Sequence, residues 1–221
     1  MRVNLISYTQ PVEGVTSRYL ANAQDLIAYC ARVSNPTNQI NNETSEKLIR
    51  YLVKHQHWSP LEMVSACLEI NTTRDIAHQI VRHRSFSFQE FSQRYADPAE
   101  FGEQFVTREA RLQDKKNRQN SIGIDSESDL HYEWESKQQK VIDLAKETYE
   151  WAIKAGIAKE QARVVLPEGN TKTRLYMNGT LRSWIHYIDL RSAHGTQKEH
   201  ELVAKACAKV ISEIFPLAKQ L

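Results

Sequence analysis

The run RHRSFSFQEFSQRY at residues 82–95 combines three arginines and a histidine with three serines and four aromatic rings. A core segment does not carry this much charge, because an unpaired buried charge is strongly unfavourable. A plain solvated face does not interleave so many rings with its charges. Arginine forks beside hydroxyl groups suit phosphate, and flat rings suit stacking on a base or a flavin. The run therefore predicts a site for an anionic ligand with a flat ring; the alternative is an exposed basic hairpin.

The segments before this run show alternating strand and helix patterns. Apolar and polar residues alternate over 3–8 and over 64–70, which indicates two strands. Apolar residues at helical spacing predict helices over 26–33, from near Asn42 or Thr44 to His55, and over 76–81. The third helix, which residues 71–73 can cap, ends where the run begins and places Gln79 and Arg82 on one face. We therefore expect the arginines of the run at the end of a rigid element.

The segments after the run begin with a polar stretch, 97–129, that has only weak periodicity. Loops of this length in compact domains are usually functional or disordered, so we expect a partly mobile loop or short-helix excursion, serving as a solvated connector or as an active-site lid. Hydrophobic spacing then predicts helices over 141–155, 158–166, 180–191 and 203–214 and a strand over 171–177. Three or four strands mixed with about six helices predict an α+β fold, with a mixed or antiparallel sheet, in a single domain spanning 1–221.

Composition and charge narrow the functional classes. The 221 residues carry 29 Lys and Arg against 27 Asp and Glu, a formal net charge of +2. This balance argues against a general nucleic-acid coat protein, which would show a basic excess. Cys30, Cys67 and Cys207 form no CxxC pair, and the chain shows neither a signal peptide nor an apolar run of membrane-spanning length. We therefore expect reduced thiols, a cytoplasmic location and no membrane partner.

Few residues of this sequence suit covalent or metal catalysis. His55 and His57 lack a third ligand at suggestive spacing, so a polar turn or a ligand-contacting turn is favoured over a metal site. Ser85 lies near His83, but no oxyanion-hole glycine motif accompanies it. The cysteines fall in apolar or alternating patterns, typical of small buried hydrophobic residues. An anion site without a nucleophile fits an enzyme whose difficult step is carried out by a cofactor. The competing class is a nucleic-acid- or nucleotide-binding protein that uses 82–95 as its platform.

The sequence resembles the flavin-dependent thymidylate synthases in the content and order of its motifs. Arg82-His83-Arg84, seven further residues and then Ser92 match the family signature, with Glu90 and Arg94 in their expected positions. Other similar segments are CARVS at 30–34, HQHWSPLE at 55–62, ARVVLP at 162–167 and LRSWIHYIDLR at 181–191. The resemblance implies reductive methylation of dUMP to dTMP with methylenetetrahydrofolate as carbon donor and NADPH-reduced FAD as hydride donor, without an enzymic cysteine nucleophile. It also implies a homotetramer with active sites shared between subunits, and we expect no stable nucleic-acid partner.

The same resemblance implies a set of site residues. The dUMP set is Gln79, Arg82, Glu90, Ser92, Gln93, Arg94, Arg163 and Arg191, with Ser92 and Arg94 on the phosphate. The FAD set is Ser34, His57, Ser59, Glu62, Arg82, His83, Arg84, Glu90, Thr180, Arg182 and His186. Arg191 is the implied catalytic residue, because its fixed charge facing the uracil ring would favour an ionised ring nitrogen. Thr180 stands where the family often has asparagine. Gln93 stands where it often has a small residue, so a backbone contact is expected there.

Overall fold

The computed structural model describes residues 1–14 and 20–217, and its main feature is a four-stranded sheet. All three neighbouring pairs run antiparallel, in the order β1-β2-β6-β3. The strands, numbered in chain order, are β1 (Arg2–Tyr8), β2 (Ser65–Thr73), β3 (Ser87–Glu90) and β6 (Lys172–Thr180). The three predicted strands are confirmed. β3 was not predicted, since it is a short edge strand within the polar run 82–95.

Seven α-helices accompany the sheet in the described part of the chain. They are α1 (Ala23–Ala31), α2 (Ser45–Lys54), α3 (Arg74–Ile80), α4 (Asp129–Lys154), α5 (Lys159–Ala162), α6 (Leu181–Ser192) and α7 (Lys198–Ile214). The α+β prediction, with an antiparallel sheet, is confirmed, whereas the assignment of 1–221 to one domain stays a prediction. Across the described ranges, no helix is both long and apolar enough to cross a bilayer.

One face of β2 packs into the main hydrophobic core. Strand periodicity points Ala66, Leu68 and Ile70 to this face, where each is at most 1% exposed. Trp184 of α6 packs here, and its indole N–H donates to the carbonyl oxygen of Ala66 at 3.0 Å. Cys207 of α7 belongs to the same cluster. The alternation over 64–70 is therefore what fixes α6 against the sheet.

A glycine on β6 allows the run 82–95 to lie close to the sheet. A Cβ at Gly179 would stand 2.3 Å from Phe86 Cδ1, so only a residue without a side chain accepts this ring. Phe86 also packs edge-on against Trp184, with ring centroids 4.8 Å apart. This aromatic contact anchors the segment that carries Arg82, His83 and Arg84 next to α6.

The polar stretch 97–129 contains regular structure, so the expectation of a loop or a short-helix excursion was wrong in part. A 3₁₀ turn at Pro98–Phe101 is followed by a two-stranded antiparallel ribbon of β4 (Arg111–Gln113) and β5 (Ser121–Gly123). Asp114 organises the ribbon's turn by accepting from the backbone N–H groups of Lys116 and Asn117 at 2.8 and 3.1 Å. Strands of three residues are too short to leave a readable alternation in the sequence.

The predicted stripe on α4 faces the core only in part. Ile142, Ala145 and Ala152 are buried, whereas Val141 and Leu144 are 55% and 64% exposed. The apolar residues of this helix therefore form two adjacent faces, and the sequence pattern alone does not tell which one is covered by the chain's own core.

Candidate functional site

Helix α6 carries three of the predicted site residues, Arg182, His186 and Arg191. The helix is capped by Thr180, whose hydroxyl accepts from the backbone N–H of Ser183 at 3.3 Å and so satisfies a free donor of the first turn. A rise of about 1.5 Å per residue places Arg182 and Arg191 roughly 13 Å apart along the axis. α6 thus presents one cation near each end. Thr180 has a capping role here, and its assignment to FAD stays a prediction.

Two contacts join the 3₁₀ turn Ser59–Glu62 to the N-terminal half of α6. The carboxylate of Glu62 forms an ion pair with the guanidinium of Arg182. The ring of Trp58 packs edge-on against His186, with centroids 4.5 Å apart. Two further predicted FAD residues are exposed here: Ser59, which opens the turn, and His57, two residues before it. The structure therefore brings together five of the residues predicted to hold FAD.

Ser34 lies on the loop after α1. It lines a cavity of about 530 Å³ together with Arg32 and Tyr51. The ring of Tyr51 stands edge-on to the ring of His57, with centroids 6.1 Å apart. Tyr51 thus connects the loop of Ser34 with His57.

Both ends of α6 contact the run 82–95. The Nε–H of Arg191 donates to Nε2 of His83 at 2.9 Å, and the hydroxyl of Ser183 donates to the carbonyl oxygen of Ser85 at 3.2 Å. A guanidinium only donates, so Nε2 of His83 must be unprotonated. Burial, and then the charge of Arg191, lower the pKa of His83 below its usual value, which keeps this acceptor available. His83 therefore fixes the orientation of the Arg191 guanidinium.

A buried histidine of α7, His200, lies behind this contact. Its Nδ1 is 3.2 Å from Oε1 of Gln79, and its Nε2 is 3.2 Å from the hydroxyl of Tyr187. An amide oxygen only accepts, so Nδ1 carries the proton and Nε2 accepts from the tyrosine. Burial, and then the charge of Arg191, lower the pKa of His200 to about 4. The ring of Tyr187 packs edge-on against His83, with centroids 4.9 Å apart, which connects His200 to the Arg191 contact.

Arg82 and Arg84 flank His83 and are both exposed. Neither side chain makes a hydrogen bond or an ion pair with another residue in the ranges that the structure describes. Because arginine keeps its charge at any working pH, this segment presents two fixed, uncompensated cations. It is therefore suited to an anionic group such as a pyrophosphate.

The predicted phosphate-binding residues lie beyond β3, at the other end of this strand from Arg82 and Arg84. Glu90 closes β3, and its carboxylate accepts from the hydroxyl of Thr173 at 2.9 Å and pairs with Arg74 at 3.3 Å. Ser92 and Arg94 occupy the turn that follows. The guanidinium of Arg94 forms a half-exposed ion pair with Glu160 of α5 at 3.3 Å. This turn thus has a hydroxyl and a cation facing solvent.

Gln93 and Arg163 lie close to this turn. Gln93 is 3% exposed, and within the described ranges its Nε2 has no hydrogen-bond partner. Its side chain is directed into the protein, so a ligand at this position is expected to meet the backbone. Arg163 follows α5 directly, and Lys159 of α5 donates to the carbonyl oxygen of Tyr95 at 3.2 Å. Arg163 is therefore held near the turn that contains Ser92.

Within one chain, the predicted residues form two groups rather than one site. The first group surrounds α6 and contains Gln79, the segment 82–84 and the turn Ser59–Glu62. The second contains Glu90, the turn after β3 and Arg163. In the described ranges, no hydrogen bond or ion pair joins the two groups. Completion of each site by another subunit stays a prediction.

A large cavity beside the loop after Arg191 involves residues that the sequence interpretation did not assign. Its volume is about 1210 Å³, and it is lined by the β4–β5 ribbon, the start of α4 and the segment 192–198. Arg111 of the ribbon pairs with Glu199 at 2.6 Å, while Arg108 pairs with Asp75 at 2.7 Å. The Arg111–Glu199 pair ties the ribbon to α7. Two further cations of the wall, Lys198 and Lys205, are paired with Glu109 and Glu201.

Gln197, Glu199 and His200 on α7 and its cap are also absent from the predicted set. Gln197 accepts from Nε2 of Gln79 at 2.8 Å, so the two residues that hold Gln79 come from the same turn of α7. The sequence contains one signal for His200: it lies three residues before Val203 and seven before Cys207, on the apolar stripe of the closing helix. A histidine on such a stripe indicates a buried polar contact.

The cysteines are poorly placed for nucleophilic chemistry. Cys207 is buried, as predicted, but Cys30 and Cys67 are only half-buried; Cys67 lies on the outer face of β2. Burial raises the pKa of all three thiols, which keeps them neutral near pH 7. In the described ranges, no group of three or more His, Cys, Asp or Glu side chains is arranged to hold a metal ion.

Comparison with known proteins gives a consistent result over the whole chain. Residues 17–217 match the family model described as thymidylate synthase complementing protein. The chain is 49% identical over 223 residues to a probable flavin-dependent thymidylate synthase of Paramecium bursaria Chlorella virus 1, covering 100% of this chain and 99% of the relative. It is 48% identical over 216 residues to the flavin-dependent thymidylate synthase of Synechocystis sp., covering 98% and 96%.

A solved structure agrees with these relatives. The UMP/dUMP methylase PolB from Streptomyces cacaoi, crystallised with 5-Br dUMP, superposes with a TM-score of 0.82 at 25% identity, covering 99% of this chain and 93% of that one. The motifs, the antiparallel sheet with its helices and the full-length similarity lead to one conclusion. This chain belongs to the thymidylate synthase complementing protein family, that of the flavin-dependent thymidylate synthases.

Proposed function

We propose that this protein converts dUMP to dTMP by reductive methylation, with methylenetetrahydrofolate as carbon donor and NADPH-reduced FAD as hydride donor. The observation that carries the proposal is the contact between Arg191 and His83, which holds a fixed cation beside the exposed Arg82 and Arg84. Family membership supports the reaction, and the dUMP analogue in the PolB crystal supports the substrate.

The turn after β3 is assigned to the phosphate of dUMP. Arg94 is held only by a half-exposed ion pair with Glu160, an interaction of about 0–1 kcal/mol. A dianionic phosphate can replace that carboxylate, because charge-assisted hydrogen bonds to a phosphate are the stronger ones. Ser92 offers a hydroxyl beside it, and Arg163 supplies a second cation. Glu90, tied to Thr173 and Arg74, is positioned for the nucleoside part.

The residues around α6 fit a flavin nucleotide. Arg82 and Arg84 have no competing anionic partner in the described part of the chain, which suits a pyrophosphate. Trp58 offers a flat ring against His186, and the exposed ring of His57 directly precedes it in the chain. When bound, the flavin supplies the hydride for the methylation. The chain's own contribution is to hold the flavin, orient the nucleotide and place charge near the pyrimidine.

Arg191 is assigned to activation of the uracil ring. Its guanidinium is oriented by a neutral His83, so its remaining N–H donors are directed before substrate arrives. A fixed positive charge facing the ring favours ionisation of a ring nitrogen and so raises the nucleophilicity of carbon 5. The raised pKa of Cys30, Cys67 and Cys207 supports a mechanism without a cysteine attacking carbon 6.

We also propose a homotetramer in which each active site combines residues of several subunits. The support is the separation of the two residue groups, which lie at opposite ends of β3. One dUMP molecule must contact both the residues assigned to its phosphate and Arg191. A site built by one chain would need these groups to face each other.

The decisive experiment is the visible absorption spectrum of the purified protein, followed by a turnover assay. We expect flavin absorption that bleaches on addition of NADPH, and formation of dTMP that requires methylenetetrahydrofolate. A protein that neither carries nor binds FAD contradicts the proposal. Binding to oligonucleotides much tighter than to dUMP, falling steeply with salt, would instead favour the nucleic-acid-binding class.

A further inference from the structure

The long helix α4 exposes an apolar stripe along most of its 26 residues. The stripe, here called the outer stripe, occupies positions alternately four and three residues apart. Its members are Leu130, Trp134, Lys137, Val141, Leu144, Thr148, Trp151 and Ala155. Five of these are large apolar residues, and they are between 45% and 64% exposed. Such a spacing is the seam of a coiled coil.

The outer stripe is distinct from the face by which α4 packs on its own chain. That inner face consists of Gln138, Ile142, Ala145, Tyr149 and Ala152. At 100° per residue, the two faces are centred about 90° apart. Amphipathic surface helices show one apolar face, so a second one indicates a partner.

We propose that the outer stripe packs against the same stripe of a second copy of this chain, antiparallel, about a two-fold axis near Asp143. The inference rests on the proposed self-association and identifies one surface that produces it. Around this axis, Val141 faces Leu144 of the second copy, and Trp134 faces Trp151. Because the contact is isologous, each of these pairs occurs twice.

The charges along one flank of the stripe favour the antiparallel arrangement. They alternate in sign at intervals of seven residues: Glu133, Lys140, Glu147 and Lys154. About the same axis, Glu133 meets Lys154 of the second copy, and Lys140 meets Glu147. Lys140, Glu147 and Lys154 form no ion pair within the part of the chain that the structure describes. Their charges are therefore available for a second copy.

A parallel pair does not offer this complementarity. In a parallel pair, the charged flank would face the residues that directly follow Leu130, Lys137, Leu144 and Trp151 of the stripe. These residues are His131, Gln138, Ala145 and Ala152. Three of those four side chains are buried in the chain's own core and carry no charge. The only charged member of the stripe, Lys137, falls opposite Thr148 in the antiparallel pair. The two-fold axis repeats this polar layer, once on each side of the axis, and polar layers of this kind fix register in coiled coils.

The size of the contact suits a stable pair. Helices of this length bring about 39 Å of seam together. Trp134 and Leu130 also line the cavity of about 1210 Å³, so Trp151 of the second copy would close that cavity from outside. The second copy thereby contributes a wall next to the loop that follows Arg191.

The test uses charge reversal at exposed positions of the full-length, flavin-loaded protein. Lys140→Glu and Glu147→Lys each place like charges opposite one another in an antiparallel pair. Each variant alone should raise the dissociation constant of the assembly at least tenfold, measured by light scattering and sedimentation. An equimolar mixture of the two should associate again, because every charged contact in the mixed pair is attractive. Leu144→Glu, which charges the middle of the stripe, should reduce the native mass at least twofold.

Lys146→Glu is the matched control, because Lys146 lies on the side of α4 opposite the outer stripe, and it should leave the mass unchanged. A wild-type protein that is monomeric, or single variants and a mixture that all keep the wild-type mass, would overturn the inference. The flavin spectrum of the same samples reports on the proposed function separately. A colourless wild-type assembly contradicts the function and leaves the stripe intact, whereas a yellow monomer does the reverse.

Discussion

Arg191 donates from Nε to Nε2 of His83 at 2.9 Å, and this pair links helix α6 to the first residues of the run 82–95. The hydrogen bond exists only while His83 is neutral, since a protonated imidazole has no acceptor. Burial and the charge of Arg191 lower the pKa of His83 and so extend the pH range in which the bond persists. The two residues therefore act as one unit: the arginine keeps the histidine neutral, and the histidine orients the arginine.

Replacement of Arg191 by alanine should abolish most turnover with only a modest change in FAD content. Removing one group that stabilises developing charge lowers kcat by about 100- to 1000-fold. The flavin contacts assigned to the Ser59–Glu62 turn and Arg182 remain intact. The measurement is kcat together with the flavin-to-protein ratio from absorbance. Arg182→Ala is the matched comparison and should lower flavin content first. Equal loss of activity and flavin in Arg191→Ala would mean that Arg191 is structural.

His200 should make stability depend on pH in the acid range. Its pKa is lowered from 6.5 to about 4, so the unfolded state binds a proton that the native state does not. The stabilisation is fully present above pH 6.5 and is lost as the pH falls toward 4, by roughly 3 kcal/mol in total. Urea unfolding at several pH values should show this dependence as a slope of the free energy of unfolding against pH. His200→Gln should reduce the slope by the contribution of about one proton.

The exposed Ser126, which carries no titratable group, provides the control. Ser126→Ala should leave the slope of stability against pH as it is in the wild type. Because Gln79 accepts from His200, His200→Gln should also weaken dUMP binding, and a larger effect on KM than on kcat distinguishes positioning from a general loss of folding. An unchanged slope in His200→Gln contradicts a buried, neutral histidine.

The sequence carried enough information for the fold class and for most elements, but not for contacts that depend on tertiary packing. Strand alternation at 64–70 correctly gave the buried face of β2, because each inward residue is apolar. The ribbon of β4 and β5 left no such pattern. Motif resemblance gave candidates such as Arg191 and His83, yet their pairing depends on how α6 packs on β2. Gln197 and His200 were not predicted, because hydrogen bonds between segments far apart in the chain leave no pattern in the local sequence.

Ser92→Ala should weaken dUMP binding while leaving some activity and a normal flavin content. The hydroxyl is assigned to the phosphate, and a hydrogen bond to a charged group contributes about 1.5–3 kcal/mol, equivalent to roughly a 10- to 100-fold change in Kd. Titration of dUMP followed by flavin absorbance gives this value. Ser126→Ala, at an exposed serine of the excursion, is the control and should bind as the wild type does. Complete loss of turnover with normal dUMP affinity would revive a nucleophilic role for Ser92.

Gly179→Ala should destabilise the fold and displace the arginine-rich run from α6. The added Cβ would stand 2.3 and 2.6 Å from two carbons of the Phe86 ring, a contact that forces the ring to move. Overpacking of this kind costs about 1–3 kcal/mol, measurable as a lower urea midpoint. Gly169→Ala, where no atom lies within 4 Å of the new Cβ, should leave the midpoint nearly unchanged. Phe86→Leu in the Gly179→Ala background should recover part of the loss by shortening the opposing side chain. If Gly179→Ala is as stable as Gly169→Ala, the ring has room that the present geometry does not show, and Phe86 does not anchor the run.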